Sequence, residues 1–140
     1  MFVRFQSAVP NRRGAFPGIF AMANGLRDAG VLSPEDDRWV RRMNAHCERA
    51  YTDPSTVVTD CYDHERNPGA RSWFRENADE LLAIARAYTQ LLDRCRIPWE
   101  EVRTSTPGRI VYEDSVQVVA VPFTYAQDWP LPVGAQTRSD

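Results

Sequence analysis

The pattern of apolar and polar positions predicts strands at both ends of the chain. Residues 2–6 are rich in strand-forming side chains and alternate imperfectly, which favours a short strand with Phe5 in the core. Three similar segments occur in the last third, at residues 99–104, 109–112 and 116–121. The last two segments are β-branched runs joined by three polar residues, so they predict a hairpin that Pro122 ends.

Between these strands, apolar residues recur every three or four positions, which predicts three helices. The first helix runs from about residue 18 to Ala29, and Gly30 is placed to cap it. The second begins after Ser33, whose hydroxyl suits a helix N-cap, and ends near Tyr51. The third and longest helix is predicted over residues 70–94, where Pro98 prevents its continuation.

This order of elements predicts an α+β domain over residues 1–133, followed by a flexible polar tail at 134–140. We expect the N-terminal strand to join the C-terminal β-meander in one sheet of about four mostly antiparallel strands. The helices then cover one face of that sheet. Two irregular connections, residues 8–18 and 52–69, are long for a compact domain, and long connections often carry function.

Composition excludes several classes of function. The chain has 140 residues, a formal net charge of -2 and 17 basic residues, all of them arginine. Without lysine there is no Schiff-base catalysis by an amine and no P-loop lysine. The charge balance is not that of a nucleic-acid-binding protein, and no apolar run approaches the length that spans a bilayer.

Cysteine and histidine do not form the pattern of a metal site. The odd set of Cys47, Cys61 and Cys95 fits reduced thiols in a cytoplasmic protein. His46 precedes Cys47 on a predicted helix, so the two side chains point about 100° apart and cannot easily share one ion. Glycine-rich phosphate loops and dinucleotide fingerprints are also absent from the sequence, so we expect neither metal nor cofactor.

The densest group of chemically active side chains is the segment 60–66, whose sequence is DCYDHER. His64 titrates nearest to neutral pH and has Asp63 beside it, which suits a general acid or base. Tyr62 belongs to the same segment, and Tyr112 lies near the tip of the predicted hairpin. We take these four residues as catalytic candidates. The alternative is a polar connection whose charges face water, with Tyr112 packing across strands.

A second group of polar residues surrounds the first predicted strand and predicts an anion-binding site. Its members are Arg4, Gln6, Asn11, Arg12 and Arg13. Guanidinium groups bind carboxylate, phosphate or enolate oxygens in a bidentate manner, and amides add neutral donors. The alternative is that these are ordinary surface arginines of a protein without lysine.

Short segments spread over most of the chain resemble a family of small actinomycete proteins. The segments are VRFQ at 3–6, FPGIF at 16–20, LSPED at 32–36, NPGA at 67–70 and PGRIVYED at 107–114. This resemblance transfers no catalytic residue. In size and composition the chain is also loosely similar to a natural-product macrocyclase that dehydrates a tetramate-bearing polyketide and closes its ring by Michael-type addition.

Two functions follow as hypotheses. The first is a cofactor-independent enzyme of polyketide or tetramate biosynthesis, catalysing dehydration or Michael-type cyclisation of an acidic and partly apolar small molecule. Its chemistry needs an acid or base and an anion clamp in an aromatic-lined pocket. The second is a non-catalytic interaction or regulatory adaptor protein, for which a homodimer is one arrangement. An enclosed cavity with convergent histidine, tyrosine and arginine favours the enzyme, and a flat apolar patch favours the adaptor.

Overall fold

A computed structural model describes residues 1–124, which form an antiparallel sheet and three main helices. The elements in chain order are β1 (Phe2–Ser7), α1 (Ile19–Asp28), α2 (Pro34–Ala50), a short 3₁₀ helix (Pro54–Thr56), β2 (Arg71–Arg75), α3 (Asp79–Arg94), β3 (Trp99–Thr104), β4 (Arg109–Glu113) and β5 (Gln117–Val121). The predicted α+β class is confirmed. The predicted tail at 134–140 lies outside the described residues.

The sheet has five strands in the order β3-β1-β2-β5-β4, and every neighbouring pair is antiparallel. The N-terminal strand joins the C-terminal strands, as predicted, and pairs with β3 along its whole length. Gly108 allows β4 to start beside β5, because its φ is 133° and a Cβ there would collide with the carbonyl oxygen of Val121.

The prediction of one helix over residues 70–94 is wrong in its first third. Residues Arg71–Arg75 form β2, the middle strand of the sheet, and α3 begins only at Asp79. The spacing of Phe74, Ala78 and Leu81 fits a helix, whereas Arg-Ser-Trp-Phe-Arg lacks the alternation of apolar and polar residues that would indicate a strand. Pairing with β1 and β5 decides between the two, because a helix here would leave both of those strands with an unpaired edge.

The second helix begins as the sequence predicted. The Oγ atom of Ser33 accepts a hydrogen bond of 3.0 Å from the backbone N–H of Asp36, and Pro34 occupies the first turn. Three acidic residues in that turn complement the positive end of the helix dipole. The helix ends at Ala50, one residue before the predicted Tyr51. The irregular segment that follows lies against the sheet.

The two faces of the sheet bury different apolar clusters. On one face, Val3, Phe5 and Phe74 pack against α1, α2 and α3 in the main core. On the other face, Trp73, Val118 and Ala120 form a second cluster with Phe2 and Val102, and within residues 1–124 this cluster contains no helical residue. The adjacent residues Trp73 and Phe74 of β2 therefore belong to different apolar clusters, because successive side chains of a strand point to opposite faces. We call the two surfaces the helix-covered face and the opposite face.

Candidate functional site

A cleft of about 560 Å³ opens on the helix-covered face, where the helices leave part of β2 and β5 uncovered. It lies between α1 and the second half of α2 on one side and the irregular segment after α2 on the other. Its lining comprises Phe20, Asn24, Arg27, Asn44, Cys47, Glu48, Tyr51, Thr52, Asp53, Pro54, Tyr62, Ser72, Phe74, Leu81 and Gln117.

The apolar part of the cleft consists of Phe20, Phe74 and Leu81, one residue each from α1, β2 and α3. The rings of Phe20 and Phe74 meet edge to face with their centroids 6.0 Å apart. Phe74 and Leu81 also belong to the main core, so their positions are set by packing behind the cleft. This apolar floor offers a rigid surface to a hydrophobic part of a ligand.

The side of the cleft formed by α1 and α2, which we call the helical wall, carries two asparagines held by a tyrosine. The hydroxyl of Tyr88 donates a 2.6 Å hydrogen bond to Oδ1 of Asn44. The Nδ2 atom of Asn44 donates a 2.7 Å hydrogen bond to Oδ1 of Asn24. Tyr88 is fully buried, and this burial raises the pKa of its phenol far above the ordinary value, so the hydroxyl keeps its proton.

The opposite side, which we call the irregular wall, is formed by residues 51–62 and carries Tyr62. Tyr62 is 44% exposed, and burial of the rest of its side chain is the main reason that its pKa is raised. Ser72 and Arg4 act in the other direction without reversing the shift. The phenol is therefore protonated at neutral pH and available as a proton or hydrogen-bond donor.

The other polar groups of the irregular wall mostly bond to one another. The carboxylate of Asp53 accepts hydrogen bonds from the backbone N–H and the hydroxyl of Ser55. The carbonyl of Thr52 accepts a 2.8 Å hydrogen bond from Nε2 of Gln117 on β5. The bond from Gln117 fastens the irregular segment to the sheet, and all three bonds use acceptors that a ligand would otherwise meet.

The predicted catalytic cluster at 60–66 does not converge on the cleft. Tyr62 lines it, but Asp63 and His64 do not. The Oδ1 atom of Asp63 accepts from the backbone N–H groups of Glu65 and Arg66, which closes a turn and lowers the pKa of Asp63. His64 is exposed and forms no hydrogen bond or ion pair with residues 1–124. A role for His64 and Asp63 in catalysis stays a prediction.

Tyr112 has a structural partner in its own hairpin. Its hydroxyl donates a 2.7 Å hydrogen bond to Oδ2 of Asp114, and this bond raises the pKa of Tyr112. Asp114 also accepts from the backbone N–H groups of Val116 and Gln117. Burial opposes ionisation of Asp114, but the hydrogen bonds outweigh it and lower the pKa of this carboxyl. Tyr112 therefore fixes the turn and is not part of the cleft lining.

Arg4, the first member of the predicted anion clamp, is a buried structural residue. The strands β1 and β2 pair only at Phe2 and Val3 and then separate. The guanidinium of Arg4 connects β1 to β2 and to the loop that follows β1. Its Nη1 atom donates to the carbonyl of Ser72, and its Nη2 atom donates to the carbonyl of Phe16, both at 3.0 Å. Burial, with a smaller effect of Arg71, lowers the pKa of Arg4 to about 10. Its exposed fraction is 9%, so it presents little surface to a ligand.

The remaining members of the predicted clamp lie in different surroundings. The Oε1 atom of Gln6 accepts from Nε of Arg4, and its Nε2 atom donates to Glu100. The Oδ1 atom of Asn11 accepts from two backbone N–H groups of its own loop. Arg12 and Arg13 are exposed in that loop. None of these residues lines the cleft, so a ligand-binding role for them stays a prediction.

Within residues 1–124 no group of three or more histidine, cysteine, aspartate or glutamate side chains is arranged to hold a metal ion. None of the helices in this part of the chain is both long and apolar enough to cross a membrane. No protein-family model, curated protein or solved structure matches the chain.

Sequence reasoning missed the asparagines of the helical wall. Asn24 and Asn44 lie inside helices, where asparagine is unfavourable because its side chain competes with the backbone for hydrogen bonds. Both stand beside the predicted apolar positions Ala23 and Met43. An asparagine at the border of an apolar stripe was therefore the available signal, and pairing two such residues 20 positions apart required the structure.

Proposed function

We propose that the protein is a cofactor-independent enzyme that holds a small organic molecule in the cleft and catalyses dehydration or Michael-type cyclisation, as in polyketide or tetramate biosynthesis. The observation that supports this proposal is the amphipathic lining: an apolar floor with a few polar groups, several of them fixed by hydrogen bonds, around about 560 Å³. Small-molecule sites are clefts of roughly this size and composition.

The side chains of the cleft suit acid–base chemistry. Dehydration β to a carbonyl breaks a C–H bond and a C–O bond, forms a C=C bond and releases water. A base accepts the α-proton, and an acid donates a proton to the departing hydroxyl. Tyr62 is a protonated donor of the cleft, and Glu48 is a carboxylate in the same lining. Water then returns the proton from Glu48 to Tyr62.

Cyclisation needs less chemistry from the protein. When the substrate carries its own acidic carbon, the enzyme mainly brings the nucleophilic carbon and the alkene together. Phe20, Phe74 and Leu81 provide a rigid apolar surface on which a flexible chain folds. Holding the two reacting centres in one geometry lowers the activation free energy substantially, because the entropy of bringing them together has already been lost when the substrate binds.

Turnover of a model substrate tests the proposal. We expect wild-type protein to convert a phenyl-bearing β-hydroxy ketone to its enone, followed by the ultraviolet absorbance of the product. Tyr62→Phe removes the proton donor and should lower turnover by about 10²–10⁴-fold. Glu65→Gln is the matched control, because Glu65 is exposed in the same segment and does not line the cleft.

Three results would count against this assignment. Full activity of Tyr62→Phe would exclude Tyr62 as the donor. A loss of turnover in His64→Ala with no loss in Tyr62→Phe would return the catalytic centre to the exposed segment 60–66. Absence of any turnover by wild-type protein would contradict the dehydratase part of the proposal.

One observation favours the alternative of a non-catalytic interaction protein. Ile110 on β4 is 42% exposed and pairs with Ala120, a buried member of the apolar cluster on the opposite face. Exposed apolar surface is typical of a binding partner or a dimer contact. Sedimentation velocity over a range of concentrations distinguishes the two: a dimer weakened by Ile110→Glu supports this alternative, and a monomer at all concentrations contradicts the homodimer.

A further inference from the structure

The helical wall contains a chain of hydrogen bonds that ends at the cleft, which we call the amide relay. It consists of Tyr88 on α3, Asn44 on α2 and Asn24 on α1, joined at 2.6 Å and 2.7 Å. Tyr88 is fully buried, whereas Asn44 and Asn24 are half-buried and line the cleft. The relay thus connects the main core with the surface that a ligand would contact.

The direction of the relay follows from its buried end. Within residues 1–124 the hydroxyl of Tyr88 has one hydrogen-bond acceptor, Oδ1 of Asn44. The phenol is protonated, because burial raises its pKa, so it must donate there. This fixes the amide of Asn44 with Nδ2 toward Asn24. Reversing either amide would leave the buried hydroxyl of Tyr88 without an acceptor or place two donors together.

The position of Tyr88 is set by its neighbours. Its ring meets Phe20 edge to face at 4.7 Å between centroids and Trp39 at 5.0 Å. Aromatic pairs at these distances and angles are favourable beyond simple burial of area. The ring of Tyr88, at the buried end of the relay, is therefore held in place by neighbouring aromatic rings. One of them, Phe20, is also part of the floor of the cleft.

The relay leaves an unpaired donor at the cleft. The Oδ1 atom of Asn24 accepts a hydrogen bond from Asn44, whereas its Nδ2 atom has no acceptor among the described residues. We propose that the amide relay presents Nδ2–H of Asn24 to a carbonyl, carboxylate or enolate oxygen of the bound molecule. Asn24 is then a specificity-determining residue and Tyr88 a positioning residue. This inference rests on the proposed function, because it names the ligand chemistry that the same cleft selects.

Two fragments of equal shape test the inference. Acetophenone carries a carbonyl oxygen where α-methylstyrene carries a methylene group. We expect both to bind wild-type protein in titrations followed by nuclear magnetic resonance of isotope-labelled protein. Acetophenone should bind about 3–10-fold more tightly, the usual value of one neutral hydrogen bond, and should shift the side-chain amide signals of Asn24.

Variants separate recognition from packing. Asn24→Leu keeps the volume and removes the donor, so the preference for acetophenone should disappear while α-methylstyrene binds as before. Asn24→Ala tests the same donor should the leucine variant not fold. Tyr88→Phe keeps the ring and removes the hydroxyl. It should reduce the preference and broaden the side-chain amide signals of Asn24 and Asn44, an effect that a purely structural role of Tyr88 would not produce.

The outcomes distinguish this inference from the proposed function. Binding of both fragments with equal affinity to wild-type protein, or an unchanged preference in Asn24→Leu, would overturn the amide relay as a recognition device and leave the cleft as a binding site. If neither fragment shifts the signals of any cleft residue, the cleft is not a small-molecule site, and both proposals fall together.

Discussion

The two walls of the cleft are built on different principles. In the helical wall, Asn24 and Asn44 come from separate helices and are ordered from the core by the buried hydroxyl of Tyr88. In the irregular wall, Asp53 and nearby Asp63 bond mainly to their own turns. Polar groups that close a turn are satisfied locally, whereas groups ordered from the core keep a fixed direction toward the cleft.

This difference shows why a dense polar segment is a weak guide to a site. The segment 60–66 contains the richest chemistry in the sequence, but of its side chains only Tyr62 lines the cleft. Residues that are adjacent in an irregular segment point in several directions, and short acidic side chains readily cap local backbone N–H groups.

The largest effect should come from the core behind the helical wall. Leu92 on α3 is fully buried, so Leu92→Ala should lower the free energy of unfolding by about 2–5 kcal/mol, measured by urea denaturation. Val57→Ala is the control in the irregular wall, because Val57 is 62% exposed and its loss should change stability by less than about 0.5 kcal/mol. Equal effects of the two changes would remove the contrast between the walls.

A somewhat smaller loss is expected at Arg4, whose guanidinium joins β1 to the chain segments beside it. Arg4→Met leaves the carbonyls of Ser72 and Phe16 without donors, so stability should fall by about 2–4 kcal/mol. Exposed Arg12 provides the matched control, Arg12→Met, with a change within about 0.5 kcal/mol. A stable Arg4→Met variant with weakened binding of an acidic ligand would instead support the anion clamp predicted from the sequence.

Acid should weaken the hairpin that carries Gln117 of the cleft. Hydrogen bonds in the folded state lower the pKa of Asp114 below its usual 3.8. Its contribution is therefore complete above pH ~3.8 and is lost as the pH falls through the lowered value. Urea denaturation between pH 5 and about pH 2 should show a smaller acid-dependent loss in Asp114→Asn than in wild type. Parallel pH profiles of the two proteins would exclude this role.

The smallest effect is expected in the exposed segment that follows the irregular wall. His64→Ala should change the free energy of unfolding by less than about 0.5 kcal/mol, because His64 has no hydrogen-bond partner among residues 1–124. Thermal unfolding measured by circular dichroism is sufficient for this comparison. A loss above about 1 kcal/mol would show that His64 is packed or paired, and this segment would then resemble the helical wall.

Local signals predicted much of the fold. The N-cap at Ser33, the strand at the N-terminus and the C-terminal hairpin each follow from residues close together in sequence, and the structure contains all three. The strand β2 was missed because Phe74 continues the helical spacing of Ala78 and Leu81 and its own segment has no strand alternation, so only pairing with β1 and β5 reveals the strand. The site depends on such long-range pairing throughout, which is why Asn24 and Asn44 were not predicted.

The most direct test of the account is the place where a small molecule binds. Acetophenone titrated into isotope-labelled protein should shift the backbone amide signals of Phe20, Asn24 and Phe74 most strongly, because these residues form the floor and the helical wall of the cleft. Shifts that are largest at Asp63 and His64 would contradict the account and return the site to the segment that the sequence alone favoured.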